Sequence, residues 1–502
     1  MTTSVLEDQR TVWIVAALGF LLFLVGNLPW QLDDYDQAKQ AFSSFEMVKE
    51  GHWLYQRTPH ERVATKPPLV GWISAALFAV TRSWEIAWRL PSLVAALALA
   101  FVLFRAANKA YGRVAALIAL GALGLNLLSP RLATLVRTDM PLVLVIFLIG
   151  LLIWEKIRSG SEWKLRDQVY VFALLTAAML IKGPIIYAFL LPGIALFQLR
   201  YGRVAALRRP DAAARRPYAG AWAGWWPWVA SLAIFLLWVV WGIRFQPGFY
   251  QEVVMREFVG RFGETIHRPQ PLLFYLPHLL HKFAPWSVLM IGIAVVDLRS
   301  RNWRLRSVFR EMSAEVFWLL CWSVGGLIAM SLIPSKRVDR MFPVVPPLCL
   351  LLAAQISVKD AALRRPVGGA RQPYLWPAVA LAFAILFTGG YTVWKVAIGY
   401  RHDRDALAIF GRDVRNEAAA HHWRYELVSA KDEGLLLYLQ KTHFIEPRWA
   451  VAEWNTGNID ALVASTEKAP DLMSQLRGAT LSQLKSNGRK KEQGISYVLI
   501  TR

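Results

Sequence analysis

The chain has few charged residues and few cysteines for its length. Only 18% of its 502 residues are Asp, Glu, Lys or Arg, against about 25% in soluble domains, while 55% are hydrophobic. Such a chain cannot cover itself with polar surface in water, which excludes a soluble globule as well as a disordered protein. The two cysteines exclude a disulfide scaffold, and because Cys321 and Cys349 lie in apolar stretches we expect them to pack rather than bridge.

Acidic residues are especially scarce, with 35 Asp and Glu against 57 Lys and Arg and a formal net charge of +22. A charge this high first suggests nucleic-acid binding. However, 22 of the Lys and Arg fall in five short loops between apolar stretches, as the positive-inside rule predicts for cytoplasmic loops. These loops are 105–113, 155–168, 200–217, 299–311 and 358–373. They contain no recognisable nucleic-acid-binding module, so we expect no nucleic-acid partner.

Long apolar runs dominate the first four fifths of the chain. A membrane span needs roughly 20 mostly apolar residues. The sequence has eleven candidate spans, near 11–30, 88–106, 114–130, 140–155, 168–182, 184–199, 222–242, 284–298, 314–333, 341–357 and 374–397. The shorter stretch 67–81 follows Pro67-Pro68 and is predicted to be an interfacial or re-entrant helix. No small-residue cleavage site follows the first span, so we expect it to be retained.

With a cytoplasmic N-terminus, three large segments lie on the opposite side: the loops 31–87 and 243–283, and the chain from about residue 398. After Lys395 the long apolar runs stop, and alternating segments at 425–428 and 496–500 predict short strands beside a helical segment at 435–440. We therefore predict an all-α polytopic membrane domain over residues 1–397 and a small extracytoplasmic α/β domain over 398–502.

Ionisable residues that topology does not explain collect on the side opposite the basic loops. They are Asp33, Asp34, Asp36, Lys66, Asp139, Lys182, Arg256, Arg261, His267, Arg268, Lys336, Arg337 and Arg340. Charged groups at a membrane boundary are costly unless solvated or paired, so they indicate a functional site. Carboxylates can deprotonate an acceptor or hold a metal ion, and Lys and Arg hold phosphate oxygens. The pattern favours a lipid phosphate, with simple helix anchoring by Lys and Arg as the alternative.

The order of several short motifs resembles the dolichyl-phosphate-mannose protein mannosyltransferase superfamily, and more closely its bacterial branch containing the lipid A aminoarabinose transferase. The motifs are Asp36–Ala41 with Glu46-Met47 and Gly51-His52-Trp53, Lys66–Leu69 with Trp72, Arg89–Ser92, Arg137–Pro141, Lys182–Pro184, Arg261-Phe262 with His267, Pro285–Ser287, and Ser335–Arg340 before Pro343 and Pro346. Together they cover about residues 30–350.

This resemblance implies a GT-C fold and a glycosyltransferase of the bacterial inner membrane. Such an enzyme transfers a sugar, with inversion, from a polyprenyl-phosphate donor such as undecaprenyl phosphate to lipid A or another envelope acceptor on the periplasmic side. The resemblance implies that Asp36 activates the acceptor, that Asp139 is the second acid of the site and that Lys66 contacts the donor phosphate. Secondary candidates for the phosphate are Lys182, Arg261, His267, Arg337 and Arg340. No nucleotide is expected, since the sequence lacks a Gly-rich phosphate loop.

The chain departs from the family pattern just after Asp36. Gln37, Lys39 and Gln40 stand where the family usually has Glu, Arg and Tyr. The missing Glu leaves a divalent metal requirement open, although Asp33 and Asp34 could compensate, and His267 lacks the spacing of a zinc ligand. Two alternatives remain: a protein O-mannosyl-type transferase, and, in another functional class, a transporter or flippase for a charged lipid, which would place ionisable groups within spans.

Overall fold

The computed structural model describes residues 6–32, 35–207, 222–261, 269–363, 375–428, 432–486 and 496–502, and helices dominate it. Up to residue 363 its α-helices are Gln9–Val25, Tyr35–Glu50, Leu69–Thr81, Trp84–Tyr111, Arg113–Gly124, Ser129–Ala133, Asp139–Ser159, Leu165–Lys182, Ile185–Leu207, Trp226–Phe245, Tyr275–Lys282, Trp286–Ser300, Leu305–Glu311, Ala314–Leu332 and Val345–Leu363. A π-helix spans Tyr250–Phe258, and 3₁₀ turns span Val259–Arg261, Leu272–Phe274 and Val338–Val344.

Beyond residue 374 the chain forms one long helix and then alternates helices with strands. The helices are Leu375–Arg401, Ala406–Ala420, Glu433–Tyr438, Pro447–Thr456 and Ala469–Met473. The strands are β1 Tyr425–Leu427, β2 Ala461–Ser465, β3 Thr480–Lys485 and β4 Tyr497–Thr501. The strands predicted at 425–428 and 496–500 are therefore present.

Six helices in the described ranges are long and apolar enough to cross a membrane: Trp84–Tyr111, Asp139–Ser159, Trp226–Phe245, Ala314–Leu332, Val338–Val358 and Trp376–Arg401. A seventh candidate is the pair Leu272–Lys282 and Trp286–Ser300, which is bent by 99°. Three further predicted spans coincide with shorter apolar helices, Gln9–Val25, Arg113–Gly124 and Ile185–Tyr201. The stretch predicted at 168–182 is the helix Leu165–Lys182, and the segment 67–81 forms the 13-residue helix Leu69–Thr81. The total of eleven spans stays a prediction.

Contacts divide the chain into two compact units. The first comprises Met1–Gly26, Arg89–Thr134 and Thr138–Thr392, and contains most of the apolar helices. Within it, glycines allow close helix packing: a Cβ on Gly325 would lie 2.4 Å from the backbone nitrogen of Gly193. Cys321 and Cys349 are buried and unbridged in this unit, which confirms that they pack as apolar residues.

The second unit comprises Asn27–Trp88, Leu135–Arg137 and Val393–Arg502. It is built on a four-stranded sheet of order β1-β2-β4-β3, in which β1 and β2 are parallel and β4 is antiparallel to both β2 and β3. The second unit therefore combines strands from the end of the chain with a helix from the predicted first loop.

Both central strands of this sheet are buried on both faces. Because side chains alternate along a strand, Ala461 and Val463 of β2 join one core cluster while Leu462 and Ala464 join another. The first cluster includes Phe42 and Phe45 of the helix Tyr35–Glu50, and the second includes Ala450 and Trp454 of the helix Pro447–Thr456. The sheet thus provides a rigid base for the helix that begins with the Asp36 motif.

Candidate active site

Asp36 lies in the first turn of the helix Tyr35–Glu50 and is half-buried. A carboxylate at this position is stabilised by the helix dipole. The opposite face of the helix is fixed in the core, where Phe42 and Phe45 lie in the same cluster as Val463 of the sheet. The backbone at Asp36 is therefore held by tertiary packing, as a catalytic carboxylate requires.

Two lysines, Lys39 and Lys66, belong to the same unit as Asp36. Lys39 follows Asp36 by three residues, a spacing that places side chains on one helix face. Its Nζ donates a 2.9 Å hydrogen bond to Oγ1 of Thr65, the residue immediately before half-buried Lys66. The structure thus brings the Asp36 motif and the Lys66 motif together. Sequence reasoning did not assign Lys39 to the site, although its spacing from Asp36 was a signal for it.

The segment that leads to Lys66 is fixed by other residues of the same motifs. Buried Glu46 pairs with His52, and burial raises the pKa of the Glu46 carboxyl. Gly51 provides the turn between them with a φ of 81°, where other residues would be strained. The Nε1 of Trp72 donates a 2.7 Å hydrogen bond to the carbonyl of Trp53. These residues position the loop without themselves requiring a chemical role.

Besides Asp36, the second unit contains a buried carboxyl group, Glu433, that was not predicted from the sequence. It begins the helix Glu433–Tyr438, is 5% exposed, and its Oε2 accepts no hydrogen bond within the described residues. Burial raises its pKa to about 7, while the positive charge of Lys39 opposes this rise. The structure therefore places a buried carboxyl group within electrostatic range of a site lysine.

Glu433 should make the stability of the protein depend on pH. Between its ordinary value near 4.5 and about 7, the folded chain holds a proton that the unfolded chain has released, so stability falls as pH rises. The loss totals about 3 kcal/mol, and it should disappear in Glu433→Gln, which should be more stable than the wild type at pH 8. Thermal unfolding of the purified protein from pH 4.5 to 8 measures this. The exposed control Glu467→Gln should keep the wild-type slope, and an unchanged slope in Glu433→Gln would contradict the assignment.

In the first unit, Asp139 and Lys182 form a direct ion pair. The Oδ1 of Asp139 and the Nζ of Lys182 are 2.5 Å apart, and their side chains are only 12% and 14% exposed. Asp139 begins the helix Asp139–Ser159 and Lys182 ends the helix Leu165–Lys182, so each charge also complements its own helix dipole. Gly183, with a φ of 73°, then terminates the second helix. The pair joins residues that the sequence assigned separately, one as an acid and one as a phosphate ligand.

The opposite ends of the same two helices carry a second ion pair. The Nζ of Lys156 lies 2.5 Å from Oδ2 of Asp167, and these side chains are 11% and 22% exposed. The two pairs have the same chemistry but opposite positions along the helices. The Lys156–Asp167 pair is therefore a matched reference for the Asp139–Lys182 pair.

In the segment Ser335–Arg340, also in the first unit, the basic side chains bind backbone carbonyl groups. Lys336 Nζ donates to the carbonyl of Gln270 at 3.0 Å, and burial lowers the Lys336 pKa. Arg340 Nη1 donates to the carbonyl of Ser335 at 2.7 Å, and the backbone N–H of Arg337 donates to Tyr275 Oη at 3.4 Å. These contacts tie the segment to Gln270 and Tyr275 of the same unit.

Several predicted site residues fall outside the described part of the chain. Asp33, Asp34, His267 and Arg268 lie there, and Arg261 is described only in its backbone, at the end of a short 3₁₀ turn. Their roles stay predictions. Arg256 forms an ion pair of 2.8 Å with Glu252 on its own π-helix. Among the described residues, no three His, Cys, Asp or Glu side chains form a group that could hold a metal ion.

Comparison with protein families confirms the resemblance predicted from the motifs. Residues 65–211 match the family described as dolichyl-phosphate-mannose-protein mannosyltransferase. Undecaprenyl phosphate-alpha-4-amino-4-deoxy-L-arabinose arabinosyl transferase 1 of Sodalis glossinidius (strain morsitans) is 27% identical over 67% of this chain and 56% of its own length. The corresponding transferase of Serratia proteamaculans (strain 568) is 26% identical over 70% of this chain and 60% of its own length. The matched part of the chain thus spans less than two thirds of the length of these relatives.

Solved structures establish the fold. The crystal structure of ArnT from Cupriavidus metallidurans bound to undecaprenyl phosphate matches with a TM-score of 0.67 and 16% identity, over 97% of both chains. The archaeal oligosaccharyltransferase AglB from Archaeoglobus fulgidus matches with a TM-score of 0.51 and 12% identity, over 93% of this chain and 71% of its own. The chain has the GT-C fold with a small C-terminal sheet, and it is a multi-pass membrane protein.

Proposed function

We propose that this chain is an inverting membrane glycosyltransferase. It takes a sugar from undecaprenyl phosphate and transfers it to an envelope acceptor such as lipid A at the periplasmic face of a bacterial inner membrane. The relatives named as undecaprenyl phosphate-aminoarabinose arabinosyl transferases support this donor. The membrane domain would be residues 1–397 and the periplasmic α/β domain residues 398–502.

The observation that carries the proposal is the hydrogen bond from Lys39, three residues after Asp36 on the same helix, to Thr65, which directly precedes Lys66. A carboxylate and two ammonium groups on segments joined in this way suit the transfer of a sugar away from a phosphate. The carboxylate can accept a proton from the attacking group, and the ammonium groups can neutralise the leaving group. The 2.9 Å bond between Lys39 and Thr65 supports a shared role for the two lysines, because it ties their segments together.

In the proposed reaction an acceptor hydroxyl attacks the anomeric carbon of the sugar. The bond between that carbon and the phosphate oxygen breaks on the opposite side, which inverts the configuration. Asp36 takes the proton of the hydroxyl, or orients the nucleophile where the acceptor is already a phosphate anion. Undecaprenyl phosphate leaves with increased negative charge, and Lys66 and Lys39 stabilise that charge.

Asp139 is proposed as a second acid of the reaction, with Lys182, Arg261, His267, Arg337 and Arg340 as further ligands of donor phosphate. For Lys182, the buried ion pair with Asp139 suggests how phosphate binding could activate the carboxylate. Because Asp139 already neutralises Lys182, a phosphate that bound this lysine would compete with the carboxylate and release it for acid-base chemistry. Asp33 and Asp34 remain proposed substitutes for the Glu that Gln37 replaces.

Mass spectrometry of lipid A from a strain lacking the gene tests the function. Deletion should remove a sugar-sized mass from lipid A, the wild-type gene should restore it, and the Asp36→Asn gene should not. The family that matches residues 65–211 is described as a protein mannosyltransferase. Envelope glycoproteins are therefore measured in the same strains. A change confined to glycoproteins would replace lipid A by a protein acceptor, and no change in either fraction would contradict the proposed function.

A further inference from the structure

An apolar groove of about 390 Å³ in the first unit is lined by none of the candidate site residues. It runs between the helix Gln9–Val25 and the helices Trp84–Tyr111 and Arg113–Gly124. Along most of its length the walls are hydrocarbon, with contributions from Phe20, Phe23, Leu97 and Phe104.

The charged and amide side chains of the lining all lie at one end of the groove. Gln9 opens the first helix, Arg105 and Asn108 lie in the last turns of the second, and Arg113 begins the third. Arg105 and Arg113 are both exposed. The Arg105 guanidinium lies 5.7 Å over the ring of Phe101, and Arg113 Nη1 donates to the backbone carbonyl of Glu7 at 2.6 Å. The groove is therefore amphipathic, with a cationic mouth and an apolar interior.

The dimensions of the groove suit a single lipid chain. From Gln9 to Phe23 the first helix rises about 21 Å, which exceeds the roughly 15 Å of hydrocarbon in one leaflet. Gly19 lies on the same helix between Gln9 and Phe23, and a Cβ placed on it would meet no atom within 4 Å. Space is thus open in the apolar interior of the groove beside Gly19.

We propose that this groove binds one acyl chain of an anionic glycerophospholipid, whose phosphate Arg105 and Arg113 hold at the mouth. The two guanidinium groups complement a phosphate, and the walls match a hydrocarbon chain. The donor of the proposed reaction also joins a phosphate to a hydrocarbon tail. Its tail, however, is more than twice as long as an acyl chain, and the loop 105–113 is predicted to be cytoplasmic, whereas transfer is proposed on the periplasmic side.

The test compares lipid retention by the full-length protein in detergent, measured by native mass spectrometry. The protein is delipidated and then offered phosphatidylglycerol, phosphatidylcholine or undecaprenyl phosphate separately. Gly19→Leu should fill the groove, and Arg105→Gln with Arg113→Gln should remove the phosphate ligands. Each change should lower retention of phosphatidylglycerol about tenfold relative to the wild type.

Two controls make the comparison specific. Gly292→Leu adds the same side chain at an exposed glycine of another helix where a Cβ also meets no atom, and Lys109→Gln removes a neighbouring exposed charge outside the groove. Both should retain phosphatidylglycerol like the wild type, and all variants are checked by thermal unfolding. Equal retention by Gly19→Leu and the wild type, equal binding of phosphatidylcholine, or preference for undecaprenyl phosphate would each overturn the proposal. Sugar transfer is assayed separately, so loss of the lipid site and loss of the proposed activity are distinguishable.

Discussion

Asp36→Asn is expected to lower the turnover of sugar transfer by about 10² to 10⁴-fold, the usual contribution of a general base. Asparagine has nearly the shape of aspartate but cannot accept the proton of the attacking hydroxyl. The helix that carries Asp36 is fixed by Phe42 and Phe45 in the core, so the substitution should leave the fold intact. The measurement is transfer by the purified protein from an undecaprenyl-phosphate sugar to lipid A, with the thermal midpoint recorded for each variant.

Two comparison variants make the result specific. Asp471→Asn makes the same chemical change at an exposed position of the second unit and should keep wild-type turnover. Lys66→Gln should raise the KM for donor about 10 to 100-fold, because it removes a charged contact to phosphate in the ground state as well as later in the reaction. Near-normal turnover of Asp36→Asn would refute the catalytic assignment, and an unchanged donor KM in Lys66→Gln would refute the phosphate contact.

Local sequence patterns predict much of this fold because they depend on interactions within a few residues. Apolar runs of span length indicate helices such as Ala314–Leu332, and alternation indicates β1 and β4. By contrast, no strand was predicted at β2, which is buried on both faces as β4 is. A strand that is apolar on both sides is hard to distinguish from a short buried helix by periodicity alone.

The candidate site shows the same division between local and long-range information. Motif resemblance selects Asp36, Lys66, Asp139 and Lys182 one at a time. It does not predict that Asp139 and Lys182 pair across 43 positions, because that contact depends on two helices packing against each other. Nor does it reveal Glu433, whose raised pKa comes from burial by distant parts of its unit.

The Asp139–Lys182 pair has two separable consequences, one for stability and one for activity. Removing one partner of a buried ion pair leaves an uncompensated charge and typically destabilises a protein by about 3–5 kcal/mol. Removing both partners leaves no such charge, so stability largely returns. A purely structural pair should therefore regain activity together with stability, whereas a pair that acts on the substrate should not.

We expect the single substitution Asp139→Asn, which leaves Lys182 without its partner, to lower the thermal midpoint strongly. The double variant Asp139→Asn with Lys182→Gln should recover most of the wild-type midpoint but less than a tenth of the wild-type transfer rate. The matched control is Asp167→Asn with Lys156→Gln, which removes the pair at the other end of the same two helices. That double variant should keep both midpoint and transfer rate, because its loop is predicted to lie on the cytoplasmic side. If the Asp139 and Lys182 double variant also transferred sugar at the wild-type rate, the pair would serve only to join two helices, and both residues would leave the proposed site.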